Sequence, residues 1–392
     1  MLENFLNKIS VPKFFKKKSA SFLGVDLGSS SIKMVQLKQE KGVAVLETYG
    51  ELSLGPYAGT EIGRATNLTN KQMSGALISL IEEARVNIAE CGVSIPLSSS
   101  LIFNMEVPQV SPEQLKKIVP IEARRYIPVS ISEVMLDWRI IPERDFEEPA
   151  GDSDLEDRRS GTRQANQPAE NGLKNKRRDK IKIFVVAIHK NELDRYQSIV
   201  KNAQLNLNFL EIEIFSTIRS VVQQNAGTVA ILDIGSGVAK LYIVEYGIVK
   251  DSHLISRGSQ DISLAISRTL GITIDKAEEK KREVGLTGAE GEDKDISEII
   301  ATNLKYIFSE AEKVLRKYQT EQHKNIDRLI FTGGGSVIKG LPAFASSILK
   351  INATVADPFD KIRTPAFLDD ILKEIGPEFA VAVGLALRGL EK

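Results

Sequence analysis

Phe22-Leu23-Gly24-Val25-Asp26-Leu27-Gly28-Ser29-Ser30-Ser31-Ile32-Lys33-Met34-Val35-Gln36-Leu37 and, 207 residues further on, Val229-Ala230-Ile231-Leu232-Asp233-Ile234-Gly235-Ser236-Gly237-Val238-Ala239-Lys240-Leu241-Tyr242-Ile243-Val244 repeat one pattern. In each copy an apolar run ends in Asp-x-Gly-Ser, and a second apolar run with β-branched residues follows at once. That reads as strand, tight turn, strand. Glycine in the turn lets backbone amides approach an anion, and the serines add hydroxyl donors. Two facing phosphate-binding hairpins are therefore predicted.

The surrounding composition allows such a split protein. At 392 residues the chain exceeds one ordinary core and suits two domains. Its 52 basic residues are balanced by 52 acidic ones, so bulk electrostatics gives no reason to expect a nucleic-acid partner. One cysteine, Cys91, excludes an internal disulfide or a cysteine-based zinc site, and His189, His253 and His323 are scattered without metal-ligand spacing. A reducing cytoplasm is the natural setting. No run approaches the roughly 20 apolar residues that span a bilayer, and the first apolar positions are too interrupted for a signal peptide. A soluble protein is expected. Residues Met1 to Ser19 nevertheless mix Leu2, Phe5, Leu6, Ile9, Phe14 and Phe15 with five lysines. That composition suits an anionic membrane surface or, since Pro12 divides it, a solvated terminus.

After the first hairpin a strand is predicted over Gly42 to Tyr49, then a helix over Lys71 to Cys91 and strands over Val93 to Pro96 and Ser99 to Val107. Ser111-Pro112-Glu113-Gln114 carries a helix start, with Ser at the N-cap and Pro in the first turn, and Val134 to Ile141 alternates as a strand. Glu143 to Lys180 holds almost no large apolar side chains and cannot repay the entropy of ordering, so a disordered insertion is expected. Beyond it come a strand at Ile181 to Ile188, a helix at Asn191 to Ala203, a strand at Asn208 to Ile214 and a helix from Phe215. After the second hairpin, helices are expected at Asp275 to Val284 and Ile296 to Tyr318, with a Gly- and acid-rich loop over Gly285 to Asp295.

A third motif, Arg328-Leu329-Ile330-Phe331-Thr332-Gly333-Gly334-Gly335-Ser336, is an apolar strand ending in three glycines before a helix. Alone it is weak, because any α/β protein can use such a turn. In this order, however, two Asp-x-Gly-Ser hairpins followed by Thr-Gly-Gly-Gly resemble the phosphate-one, phosphate-two and adenosine motifs of the actin-like ATPase superfamily. Glu122-Ala123-Arg124-Arg125-Tyr126-Ile127-Pro128, Val134-Met135-Leu136-Asp137-Trp138 and Val355-Ala356-Asp357-Pro358-Phe359 narrow the resemblance to the FtsA/PilM branch, on the side of the type IV pilus assembly proteins. The chain stops after a helix over Phe379 to Leu390 without the membrane-targeting helix that ends FtsA, which favours that side.

The resemblance implies an α/β, actin-like two-domain fold with an FtsA/PilM-type inserted subdomain. On it the first domain would comprise residues 20–107 and 208–228, the insertion 108–207, the second domain 229–270 and 325–392, and a helical subdomain 271–324. It also implies ATP in a central cleft. Gly28, Ser29, Ser30, Ser31, Gly235, Ser236 and Gly237 would hold phosphates, and Gly333, Gly334, Gly335 and Ser336 would pass beneath the adenosine. Glu278 and Lys281, three residues apart on one helix face, would reach the ribose, although the same pair reads equally as a surface ion pair. Asp26 and Asp233 would face Mg2+ through water, or else cap their turns. For hydrolysis the candidates are Glu211 and, preferred, Glu213, against a simple acidic strand edge. Partners implied are the N-terminal tail of a PilN-like bitopic inner-membrane protein and other platform components, with the chain at the cytoplasmic face of the inner membrane. A homo-oligomer, an FtsA-like filament and a small-molecule kinase remain alternatives.

Overall fold

The computed structural model describes residues 21–141, 180–223 and 226–391. The expectations for the N-terminal tail and the charged insertion lie outside these residues, apart from Lys180, which opens a strand. In chain order the first elements are β1 (Ser21–Leu27), β2 (Ser31–Glu40), β3 (Val43–Ser53), α1 (Asn70–Glu83), β4 (Glu90–Ile95), β5 (Ser100–Pro108), α2 (Pro112–Ala123), β6 (Val134–Ile140), β7 (Lys180–His189), α3 (Lys190–Asn202), β8 (Asn206–Ile212) and α4 (Glu213–Val221). There follow β9 (Thr228–Ile234), β10 (Ala239–Glu245), β11 (Ile248–Ile255), α5 (Ser259–Leu270), α6 (Ile274–Val284), α7 (Gly291–Gln322), β12 (Arg328–Thr332), α8 (Leu341–Leu349), β13 (Ala353–Val355), α9 (Asp369–Ile375) and α10 (Ala380–Leu390).

The chain divides into two compact units, Met1–Leu101 with Ile188–Lys392, and Ile102–Ala187. In the larger unit the internal repeat extends well past the quoted hairpins. One sheet has the order β3-β2-β1-β4-β8, the other β11-β10-β9-β12-β13. Each is an antiparallel meander of three strands continued by two parallel ones. The parallel strands require crossovers, which the intervening helices provide. The smaller unit is built on a three-stranded sheet of order β5-β7-β6 with α2, whose N-terminus carries the expected Ser111 N-cap, which Gln114 completes as a capping box.

Helices cover both sheets. Leu304, Ile307, Ala311 and Leu315 of α7 are buried against Leu232, Ile234 and Leu241 of the second sheet, as the apolar stripe demands. The first sheet is closed by α10, whose Ala382, Val383 and Ala386 pack with Val35, Leu37 and Phe379. Here small residues are obligatory: a Cβ on Gly24 would lie 2.0 Å from the carbonyl oxygen of Ala382, and one on Gly384 1.9 Å from that of Ser216 in α4. The helix thus slots between β1 and α4 at backbone distance.

Among the boundaries that differ from the sequence reading, three have a tertiary or electrostatic reason. The helix expected to reach Cys91 ends at Glu83, and Cys91 instead enters β4, where it pairs with Leu23 and Leu207. Strand formation between two neighbours outweighs a short helical extension. Glu213 is not a strand end: β8 stops with the Ile95–Ile212 pair and Glu213 opens α4. The acidic loop expected up to Asp295 is shorter, because α7 starts at Gly291 and Glu292 and Asp293 favour its N-terminal dipole. Among the described residues no helix is long and apolar enough to cross a membrane.

Candidate functional site

The two Asp-x-Gly-Ser turns face one another across a cavity of about 330 Å³. Each turn is closed in the same way. A Cβ on Gly28 would lie 2.8 Å from the carbonyl oxygen of Ser31, and one on Gly235 2.9 Å from that of Val238, so both turns need glycine to bring the strands together. Asp26, Gly28, Ser29, Ser30 and Ser31 line one side, Asp233, Gly235, Ser236 and Gly237 the other. Gly333 and Gly334 line it from the end of β12, and Glu278 from α6. Gly333 has φ +81°, and a Cβ there would lie 2.2 Å from Asp233 Oδ1, so the close approach of β12's end to the second turn is reserved for glycine.

Three anticipated residues stand behind the wall. Gly335 packs on the side chain of Ile234. The Ser336 hydroxyl is buried and donates to the Gly333 carbonyl at 2.6 Å, shaping the loop from below. Lys281, only 2% exposed, donates to Glu278 Oε2 at 2.5 Å and to Ser263 Oγ at 3.0 Å. Burial would raise the Glu278 carboxyl, but Lys281, the Ser263 hydroxyl and Arg282 together hold it down at about 2. Glu278 is thus a fixed carboxylate on the cavity wall with Lys281 as its anchor.

The first acidic pair is held by different means in each half. Asp26 accepts from the Ser94 hydroxyl at 2.6 Å; burial pushes its pKa up against that hydrogen bond and the nearby lysines. Asp233 is buried and accepts from Lys240 Nζ at 3.1 Å and the Tyr242 hydroxyl at 3.3 Å. Glu213 takes the backbone N–H of Leu97 at 2.6 Å on Oε1 and Lys240 Nζ at 2.7 Å on Oε2. Burial raises its carboxyl pKa, and the facing Asp233 and Asp26 add to that rise while Lys240 opposes it. Glu211 serves a structural end. It is 1% exposed, bound by Arg219 at 2.7 and 2.9 Å, by Ser216 at 2.5 Å and by Arg388 at 2.8 Å, and it does not line the cavity.

Sequence reasoning assigned no role to two further lysines. Lys33 and Lys240 each follow their aspartate by seven residues, and each is its direct cross-strand partner: Asp26 pairs with Lys33 and Asp233 with Lys240. The repeat itself carried that signal. Lys33 sits 2.8 Å from Glu51 and 3.8 Å from Glu378, while Arg282 reaches Glu378 at 3.4 Å. Burial works to lower the Lys33 pKa, and the two glutamates overcome it. In total Asp26, Glu51, Glu213, Asp233, Glu278 and Glu378 line the cavity against three cations, Lys33, Lys240 and Arg282. The wall therefore carries a surplus of negative charge. Among the described residues no group of three or more His, Cys, Asp or Glu is arranged to hold a metal on its own.

Hydrogen bonds also tie the two turns' surroundings together. Ser236 Oγ donates to the Gly63 carbonyl at 2.6 Å, and the Ala65 N–H donates to Gln260 Oε1 at 3.0 Å. The Gly55–Leu68 segment thereby spans the cavity from the first sheet to the second.

Two meander-plus-parallel sheets joined around a cavity between duplicated turns make an actin-like fold. In keeping with this, MreB 5 of Spiroplasma citri bound to AMPPNP superposes with a TM-score of 0.53 at 13% identity, covering 94% of this chain and 95% of that one. A family model for the type IV pilus assembly protein PilM matches residues 24–153 and 171–390, and the chain belongs to that family. A solved PilM–PilN type IV pilus biogenesis complex contains a similar chain, with a TM-score of 0.75 at 21% identity over 96% of this chain and 99% of that one. The cell division protein FtsA of Bacillus subtilis (strain 168) is 24% identical over 168 residues, a match that spans 38% of each protein.

Proposed function

We propose that this protein is an ATP-binding adaptor of the type IV pilus assembly platform, which binds the N-terminal tail of a PilN-like bitopic membrane protein. The observation that carries the reading is the pair of Asp-x-Gly-Ser turns facing one cavity in a chain of the PilM family. The turn residues Gly28 to Ser31 and Gly235 to Gly237 would receive the phosphates, and Gly333 and Gly334 the adenosine, with Gly335 and Ser336 supporting that loop. Glu278, anchored by Lys281, would accept from ribose hydroxyls.

The acidic surplus of the wall bears on the metal. A polyanionic nucleotide entering among six carboxylates and three cations is repelled unless it brings counter-charge. Mg2+ keeps most of its waters and needs only one or two protein carboxylates beside the phosphates, so the absence of a three-carboxylate cage does not disfavour it. Asp26 and Asp233 are the residues that would hold it; bound there, it would supply charge neutralisation to the phosphates. The adaptor role follows if nucleotide and partner favour the same arrangement of the two sheets, since a ligand shifts an equilibrium only by its differential affinity. The chain would then act at the cytoplasmic face of the inner membrane through its partner, alongside other platform proteins and in a homo-oligomer if copies associate. The likeness to FtsA supports a second reading, a nucleotide-dependent filament.

Calorimetric titration with Mg-ATP, then with a synthetic PilN-type N-terminal peptide, tests this in wild type and Asp26→Ala. Nucleotide affinity is expected to fall at least tenfold in the variant, and in wild type on chelation by EDTA, while the peptide binds wild type. Nucleotide binding without peptide binding, together with nucleotide-dependent pelleting, would transfer the conclusion to the filament.

A further inference from the structure

The duplicated lysines have parted company. Both sit opposite their hairpin aspartate, yet Lys33 turns to Ser31 Oγ at 2.6 Å and Glu51 at 2.8 Å and makes no hydrogen bond to Asp26. Lys240 instead bridges its own Asp233, at 3.1 Å, and Glu213 of α4, at 2.7 Å. With Leu97 N–H on the other oxygen, both oxygens of Glu213 are engaged within the protein. Glu213 is also the cavity-lining glutamate contributed by α4, since Glu211 is committed to Arg219 and Arg388 behind it.

Nucleotide hydrolysis forms a bond from a water oxygen to the terminal phosphorus and breaks the bond from that phosphorus to its bridging oxygen. The electron pair leaves with the diphosphate, and the proton of the attacking water must be oriented toward and passed to an acceptor. An acceptor must be basic as well as within hydrogen-bond reach of that water. Each Glu213 oxygen keeps a second lone pair, but the ammonium 2.7 Å away favours the ionised form and so makes the carboxylate a weaker proton acceptor.

We propose that Lys240 is a positioning residue that brakes turnover: by pairing with Glu213 it holds and weakens the carboxylate that would accept the attacking water's proton, so that the cleft retains nucleotide rather than hydrolysing it. This rests on the nucleotide reading above. The same ion pair joins α4 of the first half to β10 of the second. An adaptor whose partner affinity depends on occupancy gains a stable signal from such a brake, because the bound state persists.

The test compares full-length wild type with Lys240→Met, Lys240→Arg and Lys240→Met/Glu213→Gln. Affinity for a fluorescent N-methylanthraniloyl ATP is measured with Mg2+, and phosphate release is followed in a single turnover with all protein sites filled. Lys240→Met is expected to release phosphate at least tenfold faster per bound nucleotide. Lys240→Arg, which keeps the ion pair, is expected to stay slow, and the double variant to return to the slow rate. A Lys240→Met protein that binds nucleotide and hydrolyses it no faster overturns the brake. So does a gain in rate that survives Glu213→Gln. Should Lys240→Met fail to fold by circular dichroism, Lys240→Gln is read in its place; if both unfold, Lys240 is a structural pin and the brake is overturned. Wild type that binds no nucleotide sinks the nucleotide reading itself, and the brake falls with it.

Discussion

Glu278 is a residue whose charge state the fold controls. Its carboxyl is held at about 2, below its ordinary value of 4.5, because Lys281 and Ser263 favour the ionised form more than burial disfavours it. A carboxyl depressed by folding stabilises the fold fully above its unfolded value, and that contribution is lost as pH falls through the range from 4.5 to about 2. The size is of order 1–3 kcal/mol, reduced because burial lowers the pKa of Lys281 itself. Urea unfolding of Glu278→Gln is expected to give a flatter pH dependence than wild type over that acid range; an unchanged slope would show that the ion pair contributes nothing net. At this scale the aspartates, glycines and serines of the turns were legible because the chain prints them twice. Lys33 and Lys240 are printed twice as well, but a lysine in an alternating strand reads as solvent-facing until the fold sets it beside carboxylates, Glu51 and Glu378 for the first and Asp233 and Glu213 for the second.

Among the elements, α10 is where packing is least forgiving. Its Gly384 lies so close to Ser216 that a Cβ would overlap the carbonyl oxygen at 1.9 Å, and backbone on both sides prevents a local adjustment. Gly384→Val is therefore expected to cost more than about 3 kcal/mol through overpacking, visible as a lowered midpoint of chemical unfolding. Half-buried Gly75 in α1, with nothing near its Cβ, is the matched control, where alanine should be neutral or stabilising through helix propensity. Periodicity located most of the α-helices flanking the two sheets to within a few residues, yet the end of α1, the start of α7 and the whole of α9 escaped it. The first depends on the neighbours of β4, and the second on a helix dipole that turns acidic residues into start signals.

For the whole molecule, the tie between the two sheets is the property most open to measurement. Gln260 holds the backbone of Ala65, and Ser236 that of Gly63, through single exposed or half-buried hydrogen bonds, each worth about 0.5–1.5 kcal/mol net. Gln260→Ala should leave the thermal midpoint nearly unchanged while trypsin cleavage at Arg64, within the spanning segment, accelerates several-fold. Equal cleavage rates would mean the segment is held by its contacts to the first turn, where Thr66 donates to the Ser29 carbonyl.

The amino-acid sequence by itself determined the duplicated strand-turn-strand units, the glycine-rich end of β12, the helical stripes and the family. These are local patterns, readable because turn chemistry and hydrophobic period act over a few neighbouring residues. Only the tertiary structure decided that Glu211 is a buried partner of two arginines while Glu213 faces the cavity, that Lys281 anchors from behind the wall, and that Lys240 joins Asp233 to Glu213 across the two halves. Those outcomes depend on which side chains meet from elements far apart in the chain, and on burial, which makes an ion pair between them matter.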